Sequence, residues 1–471
     1  MRPRPNRDTE RIRESRPKMA AREVVYHVLT EYQRSGAFVA DTLAREADKA
    51  SLSSEDRRLA MELVSGIVRR ESTLDALIAP CTTRLRQNIE ENLWTLLRIG
   101  AYQLVFTSSI PEYAAINETV EVPRRLGKGG WTGFLNGVLR SVGRSLTEES
   151  VDQPGPACVP LADGRYRKLA EDRFADPVEE PAKYIAQAFS FPQWLVDRWS
   201  KRYSFEELCA LGFWFNSPPT LTLRANSLRT TRDELLAKLK DAGVEASAGH
   251  HALSVALKQS ARIDRLPGFE EGLFVVQDET AMQAAELLAP EPGQSTLDLC
   301  AAPGTKTTHL AELMRNEGTI LAVDVDPDRL SRIHENAQRL GITMIKGKMA
   351  ETDGSDLPKE LFDAILIDVP CSNTGVLAKR PEARWRLTPN DLVELAELQS
   401  TLLWAALERL KPGGRLVYST CSIEPEENAQ LLRSVITDEP WRDELKLVEE
   451  REYRPGQPAD GGYQALLIRR R

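Results

Sequence analysis

Cysteine and histidine are scarce in this chain, with six cysteines and five histidines among 471 residues. No two cysteines form a Cys-x-x-Cys pair, so a structural zinc ribbon is not expected, and the few histidines argue against a metal enzyme. The cysteines are expected to be the reduced thiols of a cytoplasmic protein. They are Cys81, Cys158, Cys209, Cys300, Cys371 and Cys421.

Long apolar runs are missing as well. No segment approaches the roughly 20 apolar residues that cross a bilayer, and the N-terminus MRPRPNRDTERIRESRPK lacks the apolar region of a secretory signal. Both absences predict a cytoplasmic protein without a membrane partner. The net charge of −8 argues mildly against nonspecific binding to polyanions. Residues 1–18 nevertheless carry seven Lys/Arg against three Asp/Glu and predict a disordered basic arm, for which RNA contact and simple solvation are both open.

The length exceeds one typical hydrophobic core and predicts two to three domains. Residues 19–146 place apolar side chains at helical spacing and predict an all-α bundle. Residues 147–182 are rich in Pro, Gly and acidic residues and predict a mobile linker. Residues 183–282 predict a small α+β module around the strand TLTLRAN, on which Arg224 and Asn226 are expected to be ordinary surface residues.

Basic residues of the predicted bundle cluster near its turns. Each alone predicts no more than a solvated face, but together they predict a surface that faces phosphates. They are Arg69, Arg70, Arg124, Arg125, Lys128, Arg140 and Arg144.

Residues 283–471 alternate between strand and helix patterns, which predicts an α/β domain with a mostly parallel sheet. Ligands of such sheets bind beyond the carboxyl ends of the strands. Four predicted strand ends carry chemically active side chains. These ends lie at Asp298–Cys300, Asp324, Asp368–Cys371 and Cys421.

The loop after the first of these strands, CAAPGTK, is not a Gly-x-Gly-x-x-Gly loop, so a dinucleotide is not indicated. One glycine at the start of a helix allows a smaller ligand to approach the backbone. Asp324 ends the next strand, 24 residues after Cys300, where an acid suits the hydroxyl donors of a ribose. An adenosyl cofactor without phosphates fits both features, and S-adenosylmethionine is the common one. The alternative is a strand-capping Asp in an unrelated α/β domain.

The segments DVPCSNTGV (368–376) and YSTCSIEPEEN (418–428) each place one cysteine after a predicted strand. A thiolate that adds to C6 of a pyrimidine makes C5 nucleophilic, and a second group is then useful to handle the C5 proton or to expel the first thiol. The attacking thiol needs a depressed pKa, to which Lys306 can contribute. Two alternatives remain open, because the pair can also be core residues or a redox disulfide.

These segments, with DLCAAPGTKT (298–307), resemble the Sun/Fmu family of RNA cytosine-C5 methyltransferases. YAAINETVE and FLNGVLR resemble a NusB-like RNA-binding domain, and NSPPTLTLRAN and VVQDET resemble the small module that precedes the catalytic domain. A NusB-like bundle joined to this module and to a Rossmann-like class I methyltransferase domain is typical of the family's bacterial RsmB-type members. The resemblance therefore implies small-subunit ribosomal RNA as the substrate. The sequence is silent on the oligomeric state, for which a monomer is the default.

The family's roles carry over to matching positions. Cys421 matches the nucleophile and Cys371 matches the cysteine that assists product release, an order that spacing alone leaves open. Asp324 matches the ribose-binding acid, and Asp368 matches an acid between cofactor and base. The implied cofactor-binding residues are Cys300, Ala301, Ala302, Pro303, Gly304, Thr305, Lys306, Asp324 and Asp368.

Three segments bear on how far the resemblance extends. Thr305 stands where the family usually has a second glycine, and Met349 stands where it commonly has an Asp near the adenine. Glu351 or Asp353 can replace that acid if the loop shifts. KRPEARWR (379–386) resembles the family's basic, Trp-containing loop, which implies contact with the RNA backbone.

Three competing functions differ from methylation of ribosomal RNA. The chain can act on transfer RNA, or it can be a non-catalytic RNA-binding assembly factor whose best support is Met349. DNA cytosine methylation also uses a Pro-Cys dipeptide, but nothing else in the sequence resembles that family.

Overall fold

The computed structural model describes residues 19–258 and 262–471 and divides the chain into two compact units, Met1–Phe191 and Pro192–Arg471. The predicted basic arm, residues 1–18, lies outside the described residues. In the described part of the chain, no helix combines the length and hydrophobicity needed to cross a membrane.

The first unit begins with seven α-helices and no strand between residues 21 and 145, as the apolar spacing predicts. Its central helix α5 buries Trp94, Leu96 and Leu97 completely. Helices pack closely on α5, since a Cβ atom on Gly100 would lie 2.4 Å from a Leu139 methyl group. The helices are α1 Ala21–Ser35, α2 Val39–Lys49, α3 Ser54–Arg69, α4 Glu71–Ile78, α5 Glu91–Phe106, α6 Glu112–Arg125 and α7 Thr132–Ser145.

The linker predicted over residues 147–182 is wrong, because this segment folds onto the helices. Strands β1 Leu146–Val151, β2 Cys158–Pro160 and β3 Tyr166–Leu169 form an antiparallel sheet, which α8 Pro181–Ala188 follows. The buried Tyr166 ring packs edge-on against Phe189, with ring centroids 6.4 Å apart. The Pro, Gly and acidic residues that suggested a mobile segment occupy the turns between very short strands.

Two of the seven basic residues expected on an RNA-facing surface are buried instead. Arg69 and Arg70 are 8% and 4% exposed. The Arg70 guanidinium donates a 2.8 Å hydrogen bond to the Pro160 carbonyl and lies 4.2 Å from the centroid of the Phe106 ring. Burial lowers the pKa of Arg70 to about 10. The other five are exposed, namely Arg124, Arg125, Lys128, Arg140 and Arg144.

The second unit opens with a small α+β module, as the sequence predicts. Its four strands form an antiparallel sheet in the order β5-β6-β4-β7. Leu223, Leu235 and Phe274 are fully buried in its core. The elements are α9 Gln193–Trp199, α10 Phe205–Asn216, β4 Leu221–Ala225, α11 Arg232–Asp241, β5 Ala246–Ala248, β6 Ser254–Leu257 and β7 Phe274–Val276.

Arg224 and Asn226, expected at the surface, are 0% and 1% exposed. The Arg224 guanidinium bonds the Glu312 carboxylate at 2.6 Å and the Thr305 carbonyl at 2.9 Å. The Asn226 amide donates to the carbonyl of Leu340 at 3.1 Å. In an alternating strand pattern, polar side chains are expected on the solvent-facing side of the sheet. In this small module, the C-terminal domain covers that side, so Arg224 and Asn226 are buried.

The C-terminal domain is built on a seven-stranded sheet in the order β10-β9-β8-β11-β12-β14-β13. The first five strands run parallel, and β14 runs antiparallel to both β12 and β13. The strands are β8 Ser295–Leu299, β9 Thr319–Asp324, β10 Ile345–Met349, β11 Phe362–Asp368, β12 Leu410–Thr420, β13 Leu445–Tyr453 and β14 Gly462–Arg469. The helices are α12 Glu279–Leu288, α13 Thr305–Leu313, α14 Pro327–Leu340, α15 Ala383–Arg386, α16 Pro389–Leu407, α17 Ala429–Thr437 and α18 Trp441–Glu444.

Apolar clusters cover both faces of this sheet, as expected for parallel strands such as the almost fully buried FDAILID of β11. The chain runs from β8 outward to β9 and β10, and then returns to β11 on the other side of β8. Strand order therefore reverses between β8 and β11, and a ligand crevice is expected beyond the carboxyl ends of these two strands.

We expect Arg224→Ala to lower the free energy of unfolding of the second unit by about 3–5 kcal/mol, because it leaves the Glu312 carboxylate buried without its cation. Chemical denaturation followed by tryptophan fluorescence measures this loss. Arg232→Ala is the control, since it removes an exposed pair with Asp233 and should cost at most about 1 kcal/mol. An equal decrease in the free energy of unfolding in both variants would contradict a large contribution of the buried Arg224–Glu312 pair.

Candidate active site

Two cysteines meet at the carboxyl edge of the sheet. Strands β11 and β12 are parallel neighbours that pair Asp368 with Ser419, so the loops that follow them leave the sheet side by side. The Sγ atoms of Cys371 and Cys421 lie 3.0 Å apart, and both residues are free cysteines. The two thiols that the sequence places 50 positions apart therefore share one site.

The direction of the hydrogen bonds between the thiols follows from Asn373. Its side-chain amide donates to the Cys371 carbonyl at 2.9 Å, which turns its Oδ1 atom toward Cys421 Sγ at 3.4 Å. A carbonyl oxygen only accepts, so while both thiols carry their protons Cys421 donates to Asn373 and Cys371 donates to Cys421. The bond to Cys421, burial and the negative charge of Glu427 raise the pKa of the Cys371 thiol well above its ordinary value. Cys371 therefore holds its proton.

Lys306 and Asp368 form an ion pair next to the thiols. The Lys306 ammonium lies 2.6 Å from Asp368 Oδ2, and the Ser419 hydroxyl donates to Asp368 Oδ1 at 3.1 Å. Burial opposes the charge on Lys306, but the negative charges of Asp368 and of ionised Cys421 outweigh it and raise the pKa of Lys306. Lys306 is therefore a largely buried cation that interacts with Cys421.

The loop between β8 and α13 curves around the carboxyl end of β8. Its bend is made by Cys300 and Gly304, which have φ angles of +63° and +93°. Ala301 donates its N–H to the Val323 carbonyl at 2.9 Å, and the Ala302 N–H reaches the Asp324 carboxylate at 3.0 Å. Thr305 begins α13. Burial and the nearby Asp324 raise the pKa of the Cys300 thiol, so Cys300 is not a candidate nucleophile.

Asp298, at the end of β8, carries a buried oxygen that has no hydrogen-bond partner among the described residues. The Thr307 hydroxyl donates to its Oδ2 at 2.6 Å, while Oδ1 is unpaired. Burial raises the pKa of Asp298 to about 7. An unpaired buried acceptor is costly unless a bound donor completes it. Asp298, Asp324 and Asp368 together make this crevice strongly acidic.

Sequence inspection missed the carboxylate that joins the two cysteine loops. Glu427 is fully buried in a turn after β12 and accepts four hydrogen bonds. Its partners are the Ser372 N–H at 2.8 Å, the Gln399 amide at 2.9 Å and the hydroxyls of Ser372 and Ser422. The segment PEEN alone could not reveal this role, because only the turn shows which of its acids faces inward.

The sequence of this chain matches known protein families over most of its length. The family description for 16S rRNA methyltransferase RsmB/F matches residues 285–460, the NusB family matches residues 19–144, and an RsmF/B ferredoxin-like domain matches residues 191–264. Ribosomal RNA small subunit methyltransferase B of Klebsiella pneumoniae is 35% identical, with 89% of this chain and 92% of the relative covered. The chain belongs to the RsmB/F family.

Other similarities extend over nearly the whole chain. Ribosomal RNA small subunit methyltransferase B of Escherichia coli is 36% identical, with 89% of this chain and 92% of the relative covered. The crystal structure of the protein PH0851 superposes with a TM-score of 0.75 at 25% identity, covering 96% of this chain and 99% of that one. The predicted fold class, a NusB-like bundle, a small α+β module and a class I methyltransferase domain, is confirmed, and the RsmB/F member is an S-adenosylmethionine-dependent RNA methyltransferase.

The crevice fits the cofactor of the RsmB/F family. S-adenosylmethionine carries an ammonium group, a sulfonium cation and ribose hydroxyls, all of which suit acidic side chains. The unpaired Asp298 Oδ1 is a ready acceptor for such a donor. Met349 ends β10 opposite Asp324 with 58% of its surface exposed, and Glu351 and Asp353 are exposed in the loop beyond it.

The basic segment 379–386 faces inward more than its resemblance implied. Arg384 is fully buried and donates to the Asn216 side chain at 3.0 Å. Lys379 lies 2.6 Å from Asp278 and 2.7 Å from Asp460. Burial of Arg384 removes it from the expected contact with an RNA backbone, whereas Lys379, Arg380 and Arg386 are exposed.

We expect the affinity for S-adenosylhomocysteine to rise roughly tenfold between pH 6 and pH 8, because a carboxyl with a pKa of about 7 becomes ionised over this interval. The ionised form attracts the ligand's ammonium group, whereas the neutral form does not. Calorimetric titration measures the dissociation constant at each pH. Asp298→Asn should bind more weakly and show a flat profile, and parallel profiles in both proteins would assign the dependence to another group.

Proposed function

We propose that this chain methylates C5 of a cytosine in 16S ribosomal RNA through a covalent bond between Cys421 and C6 of the base. The observation that carries this proposal is the 3.0 Å contact between two partly buried thiols near the Lys306–Asp368 pair. One pocket thus contains a nucleophile, a proton donor directed at it and a cation that stabilises its charge. The names of the relatives support small-subunit ribosomal RNA as the substrate.

Cys421 is the proposed nucleophile. Its thiolate, stabilised by the Lys306 ammonium, adds to C6, and the electron pair displaced from the C5–C6 double bond makes C5 nucleophilic. S-adenosylmethionine, when bound, supplies the electrophilic methyl group. Asp324 is proposed to hold the ribose, and the 300–306 loop with Asp368 is proposed to hold the remainder of the cofactor.

Cys371 is proposed to help release the product. When the C5 proton is transferred to a water molecule, the electron pair of the C–H bond reforms the C5–C6 double bond and expels the Cys421 sulfur as a thiolate. The Cys371 thiol, which donates to that sulfur, stabilises the thiolate as it departs. A protonated Cys371 is better suited to this task than an ionised one.

The target base must leave its stack to reach Cys421, because C5 and C6 are hidden inside stacked RNA. The exposed basic residues of the NusB-like bundle are proposed to bind the phosphates. A cytoplasmic, monomeric enzyme remains the expectation from the sequence.

We expect Cys421→Ala to abolish transfer of labelled methyl groups to 16S ribosomal RNA, because C5 is not activated without the C6 adduct. Cys371→Ala should instead accumulate a protein–RNA adduct that survives denaturing electrophoresis, because the Cys421 sulfur leaves slowly. Cys81→Ala changes a partly buried thiol of the first unit and serves as the control with normal transfer. Retention of full activity by both site variants would refute the two-thiol mechanism.

The same assay run with total transfer RNA tests the competing substrate. Methylation of transfer RNA at a rate equal to or above that of 16S ribosomal RNA would replace the proposed substrate and leave the two-thiol chemistry intact.

A further inference from the structure

We propose that Glu427 is a positioning residue that places the two cysteines and keeps the shared proton on Cys371. This inference rests on the proposed function, because it explains how the two thiols come to have different roles. The buried carboxylate touches neither sulfur in the structure and acts through the residues next to them.

The first observation is the symmetry of its contacts. Glu427 Oε2 accepts from the hydroxyls of Ser372 and Ser422, the residues that directly follow Cys371 and Cys421. Gln399 provides a second connection between Glu427 and the Cys371 loop. Its amide donates to the Glu427 carboxylate at 2.9 Å and to the carbonyl of Pro370, the residue before Cys371, at 2.8 Å. One carboxylate therefore fixes the loops that bring the sulfur atoms to 3.0 Å.

The second observation is that four donors face the Glu427 carboxylate. Burial raises the pKa of Glu427, but the hydrogen bonds from Ser372, Ser422 and Gln399 oppose that rise and stabilise the anionic form. The Tyr418 hydroxyl donates to the Glu427 backbone carbonyl at 2.7 Å and stays neutral, because burial raises its pKa. A carboxylate whose partners favour the charged form thus lies next to the Cys371 loop.

The third observation is that the two thiols interact with charges of opposite sign. The buried Lys306 ammonium interacts with Cys421, whereas the Glu427 carboxylate interacts with Cys371. Charges of opposite sign that act on the two thiols polarise the pair. The interaction of Cys371 with Glu427 favours retention of the proton by Cys371. The two roles then follow from position, because the sulfur atoms themselves are chemically equivalent.

The test titrates Cys371 alone, in the full-length protein without RNA. In a Cys421→Ser background, which keeps an acceptor for Cys371, the rate of iodoacetamide alkylation at Cys371 is followed against pH by peptide mass spectrometry. We expect Glu427→Gln to lower the midpoint of this profile by about one pH unit, so that alkylation at pH 8 is roughly tenfold faster. Glu427→Asp, which keeps the charge, should restore much of the original midpoint.

Glu424→Gln is the matched control. Glu424 is an equally buried carboxylate three residues away, but it bonds Trp199 Nε1 at 2.8 Å and Arg198 rather than the cysteine loops. Its loss should leave the Cys371 midpoint unchanged. A midpoint that stays constant in folded Glu427→Gln, or that shifts equally in Glu424→Gln, would overturn the proposal.

A second variant covers the case in which Glu427→Gln does not fold. Ser372→Ala keeps the carboxylate but removes one donor that offsets its charge, so the Cys371 midpoint should rise, and no change would again overturn the proposal. Because alkylation needs no RNA, this result is separate from the proposed function. Absence of a trapped adduct in Cys371→Ala would refute that function while leaving the Glu427 result standing.

Discussion

Two partly buried sulfur atoms 3.0 Å apart readily carry one negative charge but not two, because two adjacent thiolates would repel each other. The rest of the catalytic domain is arranged around this constraint. Parallel pairing of β11 with β12 brings the cysteine loops together. We infer that Lys306, a cation that interacts with Cys421, and Glu427, an acid that interacts with Cys371, make the two sulfurs unequal. In the proposed mechanism this inequality separates the thiol that attacks from the thiol that assists its departure.

Acidic side chains on the neighbouring strands form the part of the site that suits the cofactor. Asp298, Asp324 and Asp368 lie at the carboxyl ends of three adjacent strands, where an ammonium group, a sulfonium and ribose hydroxyls are suitable partners. The small module is part of the same framework, because buried Arg224 joins its strand β4 to Thr305 and Glu312 of α13. Disturbance of the module should therefore reach the start of the helix that carries Lys306.

Sequence patterns predicted the alternating α/β domain and its chemically active strand ends, because buried parallel strands such as FDAILID have an unmistakable composition. They did not predict β10, β13 or β14, since IKGKM is short and LKLVEEREY is largely polar and lies at the sheet edge. The order of the two cysteines came from family resemblance and not from spacing. Glu427 and Arg224 could not be predicted, because burial of a charged side chain depends on partners that lie far away in the sequence.

The most direct test uses RNA in which the target cytosine carries fluorine at C5. Fluorine cannot leave as the C5 proton does, so the adduct formed after methyl transfer is trapped on the attacking sulfur. Peptide mapping by mass spectrometry then identifies the modified cysteine. The account predicts a methylated RNA adduct on the peptide that contains Cys421 and none on the peptide that contains Cys371. An adduct on Cys371, or methyl transfer without any adduct, would contradict it.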